Sequence, residues 1–209
     1  MSFFENTRRP QGLGGKLMVS MMNVGHRALA KWGLQFLNVP ADAQILDCGC
    51  GGGANLKTLL QMCPDGAAVG VDYSPVSVEK ARKVNRKAIE CGRCAVTQGS
   101  VAELPFAALR FDLATAFETV YFWPDLPQCF REVFRVLRPG GTFCGCFYVK
   151  GECGRTDRLI RRAYEPMKFF TPPYETAGSL RERLEKMYAR VEMGCVKSIA
   201  WFVCRKEEK

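Results

Sequence analysis

Short apolar runs alternate with amphipathic segments through the middle of this chain. Apolar runs of about four to eight residues between turn residues are typical of buried strands, and longer segments with apolar residues three and four apart are typical of helices. Alternating strands and helices with short connections indicate a parallel sheet that helices cover on both faces. The predicted strands are 44–48, 67–71, 94–98, 111–117 and 142–149, and the predicted helices are 54–62, 75–90 and 125–137.

Two of these helices carry recognisable end signals. Ser74 precedes Pro75, which predicts an N-cap followed by proline at the first helical position. Residues 138–141, Arg-Pro-Gly-Gly, predict a helix stop and a turn.

Different patterns flank this central part. An apolar stripe over residues 16–38 predicts an amino-terminal helix. Residues 150–175 combine prolines with basic and aromatic residues and predict an inserted cap. A helix is predicted over 177–187. Strands over 189–196 and 198–205 are separated by almost nothing, which predicts a hairpin.

The first strand runs into a glycine-rich loop. Residues 45–53 read Ile-Leu-Asp-Cys-Gly-Cys-Gly-Gly-Gly, and alternate glycines let a backbone turn sharply and approach a ligand closely. The next strand ends in Asp72, about 20 residues on, where a carboxylate can accept hydrogen bonds from ribose hydroxyls. These features predict a nucleoside-containing cofactor at the carboxyl ends of the two strands.

Two cofactor classes fit this loop. Gly49, Gly51 and Ala54 also match a nicotinamide or flavin dinucleotide fingerprint, so a dinucleotide oxidoreductase is one alternative. Asp47 argues against a pyrophosphate, because its negative charge precedes the glycines. The same charge would stabilise a positively charged methionine group.

Three further segments, 99–106, 111–114 and 130–142, follow the glycine loop in order. Together these segments resemble the class I S-adenosylmethionine-dependent methyltransferases, specifically the type 11 group, over roughly residues 40–150. The resemblance implies an α/β, Rossmann-like, doubly wound seven-stranded sheet. It implies that the sheet is mostly parallel with an antiparallel C-terminal hairpin, beneath an N-terminal helical lid. It also implies S-adenosylmethionine as the cofactor.

On this basis we expect one methyltransferase domain over residues 1–209. Its parts would be an N-terminal lid helix (1–38), a cofactor-binding core (40–149), a cap insertion (150–175), and a helix with the C-terminal hairpin (176–209).

The resemblance also assigns cofactor contacts. Asp47 and the loop glycines would line the methionine and ribose end, Asp72 would hold the ribose hydroxyls, and Tyr73 would flank the adenine. Many relatives have an Asp for the adenine amino group at the position of Ser100, so the backbone nearby could supply that contact instead. The predicted cofactor residues are Asp47, Gly49, Cys50, Gly51, Gly53, Asp72, Tyr73, Ser100, Val101, Ala102 and Phe117.

Methyl transfer from a sulfonium is an in-line displacement, so the protein mainly orients the reactants and, for some acceptors, removes a proton. The candidate bases are His26, Glu118 and Tyr121. His26 is the only histidine and titrates near neutrality, although a hydrogen-bonded structural role is the alternative. The aromatic residues 121–123 either form a substrate wall or pack under the following helix.

The net charge of +9 leaves the partner open. Basic clusters lie at 80–87 and 155–162, but no basic stripe interleaved with aromatic residues predicts single-stranded nucleic acid. We therefore expect a small-molecule methyl acceptor. An RNA or protein methyltransferase and a non-catalytic cofactor-binding partner subunit are the alternatives.

Eleven cysteines are scattered through apolar contexts, and Cys91 and Cys94 alone have chelating spacing. A structural zinc site normally needs four ligands, so we expect no metal but reduced, buried thiols in a cytoplasmic protein. A cysteine-dependent metalloid methyltransferase is a more distant alternative. No apolar run is long enough to span a membrane, and we expect a monomer or homodimer.

Overall fold

The computed structural model describes residues 32–35, 37–148, 177–196 and 199–208. Most of the predicted N-terminal lid helix and the predicted 150–175 cap lie outside these residues.

Seven strands of the described residues form one sheet. They are β1 Gln44–Cys48, β2 Ala67–Asp72, β3 Cys94–Gln98, β4 Phe111–Phe117, β5 Leu137–Tyr148, β6 Arg190–Val196 and β7 Ile199–Arg205. Their order across the sheet is β3-β2-β1-β4-β5-β7-β6. The first five strands pair in parallel, and β7 pairs antiparallel with both β5 and β6. The predicted mostly parallel seven-stranded sheet with a C-terminal antiparallel hairpin is confirmed.

Helices cover both faces of this sheet. They are α1 Ala54–Met62, α2 Pro75–Val84, α3 Arg86–Glu90, α4 Leu126–Val136 and α5 Ala177–Glu185, with a 3-10 turn at Val120–Phe122. On one face, α1 and α2 bury residues such as Leu56, Leu59 and Val78. On the other, α4 and α5 bury residues such as Phe130 and Leu180. The central strands are therefore apolar on both faces, as parallel strands between helices must be.

The helix predicted over 75–90 begins as expected but is not continuous. Ser74 caps it by accepting a hydrogen bond from the backbone N–H of Ser77 at 3.3 Å. Helix α2 ends at Val84, and the short α3 begins after Asn85. The buried Asn85 side chain donates to the backbone oxygens of Gly53 at 2.9 Å and Ala81 at 3.0 Å. The prediction was wrong at this position because apolar spacing carries no information about a tertiary amide contact.

Strand β5 begins five residues earlier than predicted, at Leu137. Phe111 pairs with Leu137, but Leu113 pairs with Thr142, so residues 138–141 form an irregularity within the strand. The guanidinium of Arg138 lies 2.7 Å from a carboxylate oxygen of Asp112 across this irregularity. The predicted turn therefore lies inside a strand and does not separate a helix from one.

Candidate functional site

The site lies where the strand order reverses. The chain passes from β1 to β2 on one side, and β4 lies on the other side of β1. In open parallel sheets the loops on the two sides of such a switch point diverge and leave a crevice at the carboxyl ends of the strands. The glycine loop, Asp72 and the segment that follows Phe117 all lie at this edge.

The glycine loop has the backbone geometry that its composition predicts. Gly49, Gly51 and Gly53 all have positive φ values, of 75°, 51° and 78°. At Gly51, a built Cβ atom would meet no other atom within 4 Å, so this side of the loop faces open space. Only glycine adopts this conformation without strain while keeping that space clear.

Asp72 ties the loop to the end of β2. Its Oδ2 accepts a hydrogen bond from the backbone N–H of Gly51, and its Oδ1 accepts one from Ser74, both at 2.9 Å. Burial raises the pKa of Asp72, and the two backbone hydrogen bonds oppose that shift. Each carboxylate oxygen has a second lone pair, so further donors can still bind.

Asp47 is a buried carboxylate with one oxygen unbonded. It is 1% exposed, and its Oδ1 accepts a hydrogen bond of 2.8 Å from the hydroxyl of Thr115. Its Oδ2 has no hydrogen-bond partner among the described residues. Burial raises the pKa of Asp47 to about 7, the Thr115 hydrogen bond opposes that shift, and the nearby Asp72 adds to it. A buried oxygen of this kind is suited to a cation, because an uncompensated buried charge is costly.

The segment after β3 contains the residues predicted to contact the adenine. Ser100 is exposed, and its hydroxyl accepts a hydrogen bond of 3.2 Å from the backbone N–H of Ala102. Val101 is buried between them. Tyr73 is 37% exposed, and its backbone oxygen accepts a hydrogen bond from the Gln98 side chain at 3.3 Å.

Helix α4 holds this segment from behind. Gln128 donates to the backbone oxygen of Ala102 at 3.1 Å, and Glu132 accepts from the backbone N–H of Leu104 at 2.8 Å. Arg135 binds Glu132 at 2.7 Å and donates to the backbone oxygens of Leu104 and Phe106. Three side chains at helical spacing therefore fix a segment that has no regular secondary structure.

The end of β4 forms the opposite wall. Phe117 is buried, and a Cβ atom at Gly33 would lie 2.8 Å from its Cε1 atom, so the residues 32–35 pack over this strand end. Glu118 is 4% exposed and has a φ of 58°. Such a φ is strained for a non-glycine residue, and strained residues concentrate at functional sites.

The remaining candidates divide by position. Tyr121 lies in the 3-10 turn after β4, and His26 and the 155–162 basic cluster lie outside the described residues. Trp123 is only 9% exposed and packs against Phe130 and Phe143. Of the predicted aromatic residues 121–123, Trp123 therefore packs under the following helix and does not form a substrate wall.

The cysteines of the described residues are all free thiols, and eight of the ten are buried. Burial raises the pKa of the Cys50 thiol, which packs where a Cβ atom at Gly70 would lie 2.7 Å from its sulfur. Cys50 thus supports the loop from the core side. No group of three or more potential metal ligands occurs in the described ranges. Nor does any helix there have the length and apolar composition to cross a bilayer.

The comparisons with known proteins decide the family. Residues 46–145 match the family model described as Methyltransferase domain. These residues, just under half of the chain, form a methyltransferase domain. This match confirms the predicted resemblance to the type 11 group and S-adenosylmethionine as the cofactor.

Relatives of the methyltransferase domain agree with this family. The 24-methylenesterol C-methyltransferase 2 of Oryza sativa subsp. japonica is 34% identical over 114 residues, which are 54% of this chain and 31% of the relative. The chain therefore spans about a third of the length of this curated relative.

Two solved structures share the fold of the methyltransferase domain. A chain in the complex between the Haloferax volcanii Trm112 methyltransferase activator and its candidate methyltransferase has a TM-score of 0.78 at 18% identity. The match covers 93% of this chain and 95% of that one. A candidate S-adenosyl-L-methionine-dependent methyltransferase from Methanococcus maripaludis has a TM-score of 0.68 at 21% identity, covering 93% and 94%.

The residues of the methyltransferase domain fit this cofactor. Oδ2 of Asp47, which has no hydrogen-bond partner among the described residues, can accept a hydrogen bond from a cationic group. The open space beside Gly51 can hold part of the cofactor. Sequence reasoning missed Thr115 and the α4 side chains. Thr115 lies beside Asp47 because β4 pairs with β1, so the strand order implied by the family could have indicated it.

Proposed function

We propose that this protein transfers a methyl group from S-adenosylmethionine to a small-molecule acceptor. The observation that carries the proposal is the buried Oδ2 of Asp47, which accepts no hydrogen bond from the part of the chain that the structure describes, beside a glycine loop with open space at Gly51. A pyrophosphate would be repelled by this oxygen, whereas the positive groups of a methionine sulfonium would be stabilised there.

The cofactor supplies the electrophilic methyl group and its leaving group when it is bound. The chain's own residues orient it. Asp47 would hold the positively charged end, Asp72 would accept from the ribose hydroxyls, and the backbone at Val101 and Ala102 would face the adenine beside Tyr73. Phe117 would lie against the reacting methyl group.

We further propose that the acceptor is apolar and reacts at carbon. A relative named as a sterol C-methyltransferase supports this acceptor class. Methyl transfer to an alkene carbon uses the π electrons for the new C–C bond and leaves a carbocation, which must lose a proton to give a neutral product; we propose the buried Glu118 at the end of β4 as the base that takes this proton. His26 and Tyr121 are the other candidate bases. Gly33 packs closely against the ring of Phe117, so the described residues 32–35 cover this strand end.

A second candidate function is that of a cofactor-binding subunit that needs a partner for activity. The structural likeness to a chain solved with a methyltransferase activator favours it. Such a subunit would bind S-adenosylhomocysteine yet transfer no methyl group alone.

Calorimetric titration with S-adenosylhomocysteine tests the cofactor site, with NADH as the comparison ligand. We expect binding of the first and none of the second, and the reverse would overturn the proposal. A screen with labelled methyl groups against extracts of apolar metabolites, proteins and RNA then identifies the acceptor class. Binding without transfer to any extract would favour the partner subunit.

A further inference from the structure

The loops after β1 and β4 come into contact at Gly49 and Thr119. A Cβ atom at Gly49 would collide with Oγ1 of Thr119 and would lie 2.9 Å from its Cβ atom. Gly49 is held in place by a 2.8 Å hydrogen bond from its N–H to the backbone oxygen of Val71. The side chain of Thr119 therefore fills the space that any other residue at position 49 would need.

Trp123 fixes the orientation of the Thr119 hydroxyl. The indole Nε1 of Trp123 donates a hydrogen bond of 3.2 Å to Thr119 Oγ1. An indole nitrogen is a donor only, so Oγ1 must be the acceptor, and the hydroxyl proton remains to be donated elsewhere. Within the described ranges, no residue accepts that proton.

The indole itself cannot easily turn away. Its ring stacks on Phe143 with centroids 6.3 Å apart and lies edge-on to Phe130 at 5.9 Å. Both phenylalanines are fully buried. The rigid core of the α4 face thus sets the direction of one hydroxyl at the edge of the crevice.

The glycine loop that Thr119 contacts leads into the N-terminus of helix α1. Helix α1 begins at Ala54, its N-cap residue Gly53 offers no side-chain hydrogen bond, and its first turn has no acidic residue. Its N-terminus therefore presents uncompensated positive partial charge. Thr119 itself is 8% exposed, so a donated hydrogen bond there is shielded from water.

We infer that Thr119 donates a hydrogen bond to the carboxylate of the methionine part of the cofactor, and that Trp123 orients it. This inference rests on the proposed function. It divides the amino-acid end of the ligand between the end of strand β1 and the loop after β4: the ammonium faces Asp47 and the carboxylate faces Thr119. Trp123 is a positioning residue, since it acts through Thr119.

Two ligands distinguish a contact with the methionine carboxylate from a general effect on the cofactor site. S-adenosylhomocysteine carries the carboxylate, and 5′-methylthioadenosine lacks the amino-acid part. The variant T119V keeps the side-chain shape and removes the hydroxyl, T119S keeps the hydroxyl, and W123F keeps the aromatic packing and removes the indole donor. Binding is measured by calorimetry, and folding by the thermal midpoint.

We expect T119V to lower S-adenosylhomocysteine affinity about fivefold to tenfold, because one shielded hydrogen bond to a charged group is lost, and to leave 5′-methylthioadenosine affinity unchanged. T119S should stay within about twofold of the parent, and W123F should lose about threefold for S-adenosylhomocysteine alone. The double variant should bind no more weakly than T119V.

Equal losses for both ligands, or no loss with T119V, would overturn the inference. If T119V does not fold, W123F decides by the same comparison of ligands. A parent protein that binds neither ligand refutes the proposed function itself. A parent that binds both ligands, with a T119V variant that binds them equally well, refutes only the role of Thr119.

Discussion

The backbone N–H of Gly51 lies 2.9 Å from Oδ2 of Asp72, so one carboxylate joins the loops that follow β1 and β2. Asp72 is also the residue expected to hold the ribose. The same side chain therefore shapes the glycine loop and offers acceptors to the ligand.

Replacing Asp72 by alanine should weaken S-adenosylhomocysteine binding by about 1–3 kcal/mol, because charge-assisted hydrogen bonds in a buried site are lost. Calorimetry measures this change. Asp65→Ala is the matched control, since Asp65 is exposed in the turn before β2, at the opposite edge of the sheet. Unchanged affinity in Asp72→Ala would remove this residue from the site.

Gly51 and Gly92 offer a matched pair for testing the open space. Both have positive φ, of 51° and 73°, and a Cβ atom at either would meet nothing within 4 Å. Alanine at each should destabilise the fold by about 1–2 kcal/mol because of the left-handed backbone. Only Gly51→Ala should also reduce cofactor affinity, by about tenfold or more, because its methyl group would occupy space that the ligand needs. Equal affinities in the two variants would place the ligand elsewhere.

The raised pKa of Asp47 predicts a dependence of stability on pH. The unfolded chain releases this proton near the ordinary value of 3.8, whereas the folded chain holds it until about pH 7. Between these limits the folded state binds more protons, so the contribution of Asp47 to the free energy of unfolding falls as pH rises. In denaturant titrations, the difference in unfolding free energy between the parent and Asp47→Asn should therefore change steadily from about pH 4 to 7 and stay constant above that range.

Ligand binding should show the opposite trend at the same residue. A cationic group prefers ionised Asp47, so S-adenosylhomocysteine affinity should rise about tenfold from pH 6 to pH 8, as expected for a group with a pKa near 7. Asp47→Asn should bind more weakly and lose this rise. A parent affinity that is flat across the range would show that Asp47 does not face the positive end of the ligand.

Glu132 provides a test of how helix α4 supports the segment that follows β3, which we propose to face the adenine. Hydrogen bonds from Arg135 to both carboxylate oxygens lower the pKa of Glu132, and Oε2 also accepts from the N–H of Leu104. Glu132→Gln should cost about 1 kcal/mol of stability and weaken 5′-methylthioadenosine binding. Glu185→Gln, in an exposed pair with Arg181, should change neither, because exposed ion pairs contribute little. Because the folded pKa of Glu132 is depressed, its stabilisation should be lost as pH falls through that value.

Much of the fold follows from local pattern. Strands β1, β3 and β4 have the predicted bounds because apolar runs between turn residues leave few alternatives. The break at Asn85 and the early start of β5 at Leu137 were missed. Both depend on contacts between residues far apart in sequence, the Asn85 amide with Gly53 and the Arg138 guanidinium with Asp112.

The candidate site was predictable only where its residues lie in one motif. Asp47, Gly51 and Asp72 occur at the ends of two successive strands, so sequence spacing brought them together. Thr115 and Thr119 lie on or after β4, and nothing in their local sequence indicates contact with Asp47 and Gly49. Their role depends on the pairing of β4 with β1, which is a property of the topology.

The buried thiols give the protein a set of built-in reporters. Cys48, Cys129 and Cys204 lie in the core beneath α4 and α5, and five others lie beneath α1 and α2. Raised pKa values keep thiols such as Cys144 and Cys94 protonated and slow to alkylate while they stay buried. Pulsed alkylation followed by peptide mass spectrometry would therefore time the opening of each helical layer separately, with no engineered label.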